Sequence, residues 1–437
     1  YPMKNPDLPR REELRIEVKG YYRPTLYDAM TGEIREVSCT HKDGRTRILE
    51  TVYDHDSLLY ALDEAPAPDR REERSTAEAS ARIQREERSP AEASAQNRLE
   101  EGALPEKEAS APVQTAKDSG IKLPDYVPFC LEEPNVCVLD MAKSSLDGME
   151  WEAPEEILRI DNAYRKKLGY PLRQEAFPQP WLMPEEDCGS HRISLRFTIR
   201  SEIPIDHPVL ALEQAAQTRL TLNGEAVSPE ITGYYVDRSI QTVALPGLRA
   251  GENILIAEMP YHPRFHLEAM YLLGDFGVRA EGKNLCLTGQ RRELAFGDFC
   301  VQGLPFYGGN LRYQIPLNVE RDGDLEISAP QFRCPLIQVL LDGEIQGRIA
   351  FSPYTLKIRN VKAGRHVLEL KAYGNRYNTF GALHNCNHTF AWKGHPDSYR
   401  TEGAEWAYEY QLHPQGILTT PKITVRGTVP ITRRTQI

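Results

Sequence analysis

The chain lacks any run of about 18 apolar residues, so no segment reads as a membrane-spanning helix. It lacks a basic excess, because 53 Lys and Arg stand against 63 Asp and Glu for a net charge of -10. Neutralising nucleic-acid phosphates takes clustered cations, so nucleic acid is excluded as the main partner and a neutral ligand fits better. It lacks Cys-x-x-Cys pairs. The nearest of its eight cysteines, Cys130 and Cys137, have no His at zinc-site spacing, which argues against a structural metal knot and for buried free thiols. No serine or cysteine nucleophile motif is present. Position 1 is Tyr, and no apolar signal core follows it. The expectation is a chain cut from a longer protein, with the question of export left open.

What is present is strand grammar. Ile193, Leu195, Phe197 and Ile199 alternate with Arg192, Ser194, Arg196, Thr198 and Arg200, the period of a strand with one face in a core. Leu368, Leu370 and Ala372 likewise oppose Val367, Glu369, Lys371 and Tyr373. Asp342-Gly343 is a tight-turn pair between apolar runs and predicts a hairpin. The unit occurs twice: Leu220-Thr-Leu-Asn-Gly-Glu225 and Leu248-Arg-Ala-Gly-Glu-Asn-Ile-Leu255 are the counterparts of Leu340-Leu-Asp-Gly-Glu344 and Val361-Lys-Ala-Gly-Arg-His-Val-Leu368.

The 437 residues divide by composition into five stretches. Residues 1–65 alternate like strands, with turns at Thr31-Gly32 and Asp43-Gly44, but make too small a sheet to stand alone. They predict a partial β-sandwich, the tail of an upstream domain. Residues 66–118 turn abruptly to Ala, Glu, Arg, Ser and Pro. The words Arg71-Glu-Glu-Arg-Ser-Thr-Ala-Glu-Ala-Ser-Ala81 and Arg85-Glu-Glu-Arg-Ser-Pro-Ala-Glu-Ala-Ser-Ala95 nearly repeat, and such a tract predicts a disordered insertion. Residues 119–188 read as a connecting segment with a helix over 154–168. There Pro154 suits the first turn, Ile157, Ile160, Tyr164 and Leu168 form one stripe, and Gly169 suits a left-handed cap. Residues 189–280 and 281–427 read as two tandem sandwiches.

These words together resemble the jelly-roll, galactose-binding-like domains appended to large glycoside hydrolases, and more narrowly the C-terminal region of family 106 α-L-rhamnosidases and family 2-type enzymes. Asn135-Val-Cys-Val-Leu-Asp140, Asp161-Asn162 and Gln179-Pro-Trp181 carry it, with Pro24-Thr-Leu-Tyr-Asp-Ala-Met-Thr-Gly-Glu33 and Tyr53-Asp-His-Asp-Ser-Leu-Leu59 before the insertion. The resemblance implies a mainly β fold of tandem galactose-binding-like sandwiches with one amphipathic helix. It also implies carbohydrate as a partner, and a catalytic domain upstream in the same polypeptide that holds the acid and base. No barrel-length alternation of strands and helices occurs in this chain, so no catalytic residue is assigned. A stand-alone carbohydrate-binding or scaffolding module remains the alternative.

Sugar recognition combines aromatic faces with amide, guanidinium and carboxylate groups. The residues that fit are Asn375, Arg376, Asn378 and His384 in one polar loop, with Tyr234, Tyr235 and Trp392 on other loops. Each has a bland alternative: the rings fill sandwich edges, and the polar loop is held rigid by its own hydrogen bonds. His384 and His388 have a metal-ligand spacing but sit among Asn and Cys in a loop, which favours packing. No cofactor is expected. Calcium remains conceivable through jelly-roll carbonyl and carboxylate oxygens, although no Asp-rich ligand loop is visible.

Overall fold

A computed structural model describes residues 11–28, 34–53, 57–66, 119–173, 191–387 and 396–426. The tract 67–118 lies outside them. The protein is mainly β, built of antiparallel sheets in sandwiches. It divides into two compact units, one drawn from 119–350 and 355–426 and the other from 11–66 with 351–354.

In the smaller unit two three-stranded sheets, Arg11–Lys19, Arg45–Tyr53, Cys39–Lys42 and Ile34–Glu36, Tyr22–Tyr27, Leu59–Glu64, share a core of Leu26, Val37 and Ile48. Thr46, fully buried, ties the sheets by accepting from the Tyr22 amide at 2.9 Å and donating to the Gly20 carbonyl at 2.9 Å.

The larger unit holds two sandwiches of one topology. In the first, one sheet runs Met141–Leu146, His191–Ser201, Gly251–Tyr261, Arg219–Leu222, Glu225–Ala226, and the other runs Asp237–Ala244, Val209–Glu213, Met270–Gly274, Asn135–Leu139. The second repeats this order: Tyr126–Leu131, Leu311–Val319, Gly364–Ala372, Ile337–Leu341, Glu344–Ile349, against Thr355–Val361, Gly323–Ser328, Lys422–Arg426, Ser119–Ile121. The repeated words sit at the same places. Asn223-Gly224 (φ 52° and 88°) and Asp342-Gly343 (φ 52° and 85°) both make the positive-φ turn that suits the right-handed strand twist of a two-residue hairpin. Ile193, Leu195, Phe197 and Ile199 all face the core, at 0, 0, 1 and 3% exposure, each side chain contributing about 1.5–3 kcal/mol of burial.

The sandwiches are nested rather than tandem. Residues 119–188, expected as a connection, supply Ser119–Ile121 and Tyr126–Leu131 to the second sandwich and Asn135–Leu139 and Met141–Leu146 to the first. The first sandwich is thus inserted between Tyr126–Leu131 and Glu293–Ala295, two strands of the other that pair with each other. Residues 281–288 also depart from the expected boundary: Asn284–Thr288 pairs with Gly277–Glu281 and touches Ser201, in the first sandwich.

The helix spans Ile157–Leu168 and ends at Gly169 with φ 72°. It starts later than the predicted 154. Glu155–Glu156 pair with the strand Met141–Leu146, and the Glu156 carboxylate caps the Leu158 and Arg159 amides, both at 3.0 Å. Its buried face includes Asp161 and Arg165 among Ile157, Ile160 and Tyr164.

Candidate functional site

In the first sandwich, residues 262–269 link the last core strands. In the second, the equivalent connection runs from Tyr373 to Pro421, and its described residues reach the helix through Arg400, which donates to the Leu158 carbonyl at 3.3 Å, and the end of the strand Asn135–Leu139 through Tyr410 and Asp140. Its first stretch is the polar loop singled out above. Asn375 exchanges amide hydrogen bonds with Gln415 (2.5 and 3.3 Å) and accepts from the Tyr377 amide at 3.1 Å. Arg376 makes a two-pronged pair with Glu133 at 2.6 and 2.8 Å, and its guanidinium lies 5.8 Å from the Tyr235 ring centroid. Asn378 is buried, donating to the His413 carbonyl at 2.8 Å and accepting from its amide at 3.0 Å. Close backbone approach sets the loop: a Cβ on Gly374 would overlap the carbonyl oxygens of Gly308 and Gly309.

His384 closes the loop. Its Nδ1 faces the Ala407 carbonyl at 2.8 Å and its Nε2 faces the Asp140 carboxylate at 3.2 Å. A neutral imidazole can donate to only one of two acceptors, so the geometry favours the charged ring. Burial works against that charge, but the hydrogen bond and attraction from Asp140 outweigh it and raise the His384 pKa. The ring stacks on Trp406 with centroids 5.4 Å apart, and the Tyr410 hydroxyl donates to Asp140 at 2.7 Å.

Beside this pair lies a pocket of about 110 Å³ whose walls include Asp140, Glu156, Glu268, Tyr271, Phe380 and Tyr399. Burial pushes the Glu156 carboxyl up to about 7 even though two helix amides hold its charged form. Burial, with Glu213 nearby, pushes Glu268 up to about 8. Among the described residues nothing hydrogen-bonds to the Glu268 carboxyl or the Tyr271 hydroxyl. Behind the wall a buried ion network holds the helix. Arg165 donates through Nε to both Asp161 oxygens (3.0 and 2.9 Å), Tyr261 donates to Asp161 at 2.9 Å, and Arg173 stands 3.6 Å from it.

Of the residues predicted from sequence, Asn375, Arg376, Asn378 and His384 are gathered on one connection, and their polar groups are engaged within the protein. Arg376 brings Tyr235 into that group. Tyr235 is 5% exposed, whereas Tyr234, next to it on the strand Ile231–Tyr235, is 59% exposed and points away. Trp392 and His388 lie outside the described residues. Sequence reading missed Asp140, Glu156, Glu268 and Tyr271. Asp140 alone carried a signal, as the acid that ends an otherwise apolar strand. Seven described cysteines are free. Among the described residues no group of three or more His, Cys, Asp and Glu side chains is placed to hold a metal ion, and no helix is long and apolar enough to cross a membrane.

No protein-family model and no curated protein matches the chain. Solved structures show local likeness. A rhamnosidase from Novosphingobium sp. PP1Y aligns at 14% identity over 53% of this chain and 22% of its own, with a TM-score of 0.23. A β-D-mannosidase from Dictyoglomus thermophilum aligns at 11% identity over 55% of this chain and 31% of its own, with a TM-score of 0.20. An anti-sigma factor domain-containing protein from Clostridium clariflavum aligns at 12% identity over 54% of this chain and 90% of its own, with a TM-score of 0.17. The chain thus spans less than a third of either glycosidase's length.

Proposed function

We propose that the chain is the non-catalytic C-terminal portion of a glycoside hydrolase of the α-L-rhamnosidase type. In this reading its sandwiches contact carbohydrate and brace a catalytic domain encoded upstream in the same polypeptide, with no resident metal or cofactor. The observation that supports it is the work already assigned to the carboxylates. Asp140 is bonded to His384 and Tyr410, Glu156 caps the helix, and Glu133 is clamped by Arg376. Glu132 is clamped by Lys371 at 2.7 Å and Arg312 at 3.0 Å. Glycoside hydrolysis needs two carboxyl groups facing one scissile bond, about 5–9.5 Å apart; these four are spent on fold, which leaves Glu268, among the described residues, as the one unbonded carboxyl of the pocket beside His384 where two are needed. The sequence resemblance supplies the enzyme type. The test is hydrolysis of aryl α-L-rhamnosides and aryl β-galactosides by the purified chain: the expected result is no turnover. Turnover that co-purifies with the chain and is abolished by one carboxylate-to-amide substitution contradicts the reading.

A further inference from the structure

Two hollows open side by side where the sandwiches meet, and they share no wall residue with the pocket at His384. One, of about 520 Å³, is walled by residues 204–207 with Val209 and Leu273. The other, of about 570 Å³, is walled by residues 129–133 and 290–292. Pro134 and Asp275 belong to both walls, so the two make one groove. A cavity of about 150 Å³ holds one six-atom ring, and a sugar residue has about twice as many heavy atoms. Each hollow therefore takes a whole sugar residue, and the groove takes a chain of two or more.

Two wall carboxylates, Glu132 and Glu133, are already neutralised by Lys371, Arg312 and Arg376. By contrast Asp206, His207, Asp275, Gln290, Arg291 and Arg292 are exposed, and their side chains make no hydrogen bond or ion pair with the described residues. Their backbone is held all the same. Leu273 and Gly274 pair with Val136 and Asn135 on one side of Asp275, and on the other the fully buried Asn135 amide donates to the Phe276 carbonyl at 2.7 Å and to that of Gly303 at 3.1 Å. Ile205, beside Asp206, exchanges backbone hydrogen bonds with Leu248, both at 2.9 Å. Directly after Arg292, Glu293 and Leu294 pair with Pro128 and Val127. His207 holds φ at 53° just before Pro208, a strained conformation for a side-chain-bearing residue and one that gathers at binding sites.

We propose that this groove binds an acidic oligosaccharide, with the carboxylate of a uronate residue on Arg291 and Arg292 and the hydroxyls of the adjoining residue on Asp275 and Asp206. The inference rests on the carbohydrate reading above and names the class of glycan. Guanidinium forks match a carboxylate with two parallel hydrogen bonds, and Glu132 and Glu133 do not supply it, since each has its own cations. At the other end an ionised carboxylate only accepts, which suits sugar hydroxyls as donors. The opposite charges of the two ends select a chain that is acidic at one end and hydroxylated at the other, whereas a uniformly acidic peptide would set its charges against Asp206 and Asp275. Phe129, half-buried, offers the C–H face of a sugar an apolar surface.

The experiment is calorimetric titration of the full chain with trigalacturonate, galactotriose and an acetylated triglutamate peptide at one ionic strength. Trigalacturonate is expected to saturate the protein and to bind about tenfold or more tightly than the other two. The double substitution Arg291→Ala with Arg292→Ala weakens it about tenfold or more. Asp275→Ala weakens it several-fold although it removes a like charge, which simple charge attraction would not do. Melting temperatures stay at the parent value, because these exposed side chains hold nothing within the chain, and Arg291→Gln with Arg292→Gln serves if the alanine pair fails to fold. Failure of trigalacturonate to saturate folded protein overturns the proposal, as does equal binding of either other probe, or binding indifferent to the arginine pair or to Asp275→Ala. None of these results touches the glycosidase reading, which the coding sequence upstream decides. Trigalacturonate binding by a chain with no upstream barrel would keep the groove and sink that reading.

Discussion

Asp161→Asn isolates the buried ion network. In the parent protein Asp161 is fully buried, and the guanidiniums of Arg165 and Arg173, 1 and 6% exposed, share its single negative charge. The substitution keeps the shape and removes the charge, stranding two cations away from water. Breaking a buried pair on one side costs about 3–5 kcal/mol. In a unit of this size each kcal/mol moves the melting temperature by about 2–4 °C, so the expected drop is about 6–20 °C. The described tryptophans Trp151 and Trp406 belong to the larger unit and no tryptophan occurs in 11–66 or 351–354, so urea unfolding followed by tryptophan fluorescence does not report on the smaller unit. The double variant Asp161→Leu with Arg165→Met removes both partners of the closest pair, and should lose less than the single change. A single variant within about 1 kcal/mol of the parent, or a double variant worse than the single, refutes the reasoning.

Arg376→Ala breaks a two-pronged, one-third-exposed pair. It should cost about 1–2 kcal/mol, with most of the loss absent in a Glu133→Gln background in a double-mutant cycle. Raising the pH from 5.5 to 8.5 should destabilise the larger unit. Glu156, at about 7, and Glu268, at about 8, lie above the ordinary glutamate value of 4.5, so the folded state binds the extra proton. That stabilisation is complete below the unfolded pKa and is lost as pH rises through the folded one. The Glu156 share is about 2 kcal/mol over this window. His384, also raised, acts with the same sign, and denaturation midpoints that rise with pH would contradict the assignment. Gly374→Ala should cost about 1–3 kcal/mol by overlap with the Gly308 and Gly309 carbonyls, read as a lowered urea midpoint.

Local pattern carried the strands and turns into view, because a half-buried strand must alternate and a two-residue hairpin needs positive φ at Asn223 and Asp342. The nesting was not visible. Pairing of Tyr126–Leu131 with Leu311–Val319 joins residues some 180 apart in sequence, and periodicity says nothing about partners at that distance. The helix start was misplaced since the sequence shows Pro154 as permissive but not the short pairing of Glu155 and Glu156. Polarity drew attention to Asn375–His384, yet polarity does not tell solvent from the His413 backbone as a partner. Asp161 and Arg165 lie beside the apolar stripe of the helix, but the stripe alone did not show that both are buried. Glu268 was not, since only folding brings it beside Tyr271 and Phe380.

The most direct measurement is the coding sequence upstream of the Tyr1 codon. A non-catalytic portion of a glycosidase predicts an in-frame region with the strand–helix alternation of a catalytic barrel, whose product joined to this chain hydrolyses α-L-rhamnosides or related glycosides. A start codon shortly upstream, with no such region in frame, would contradict it.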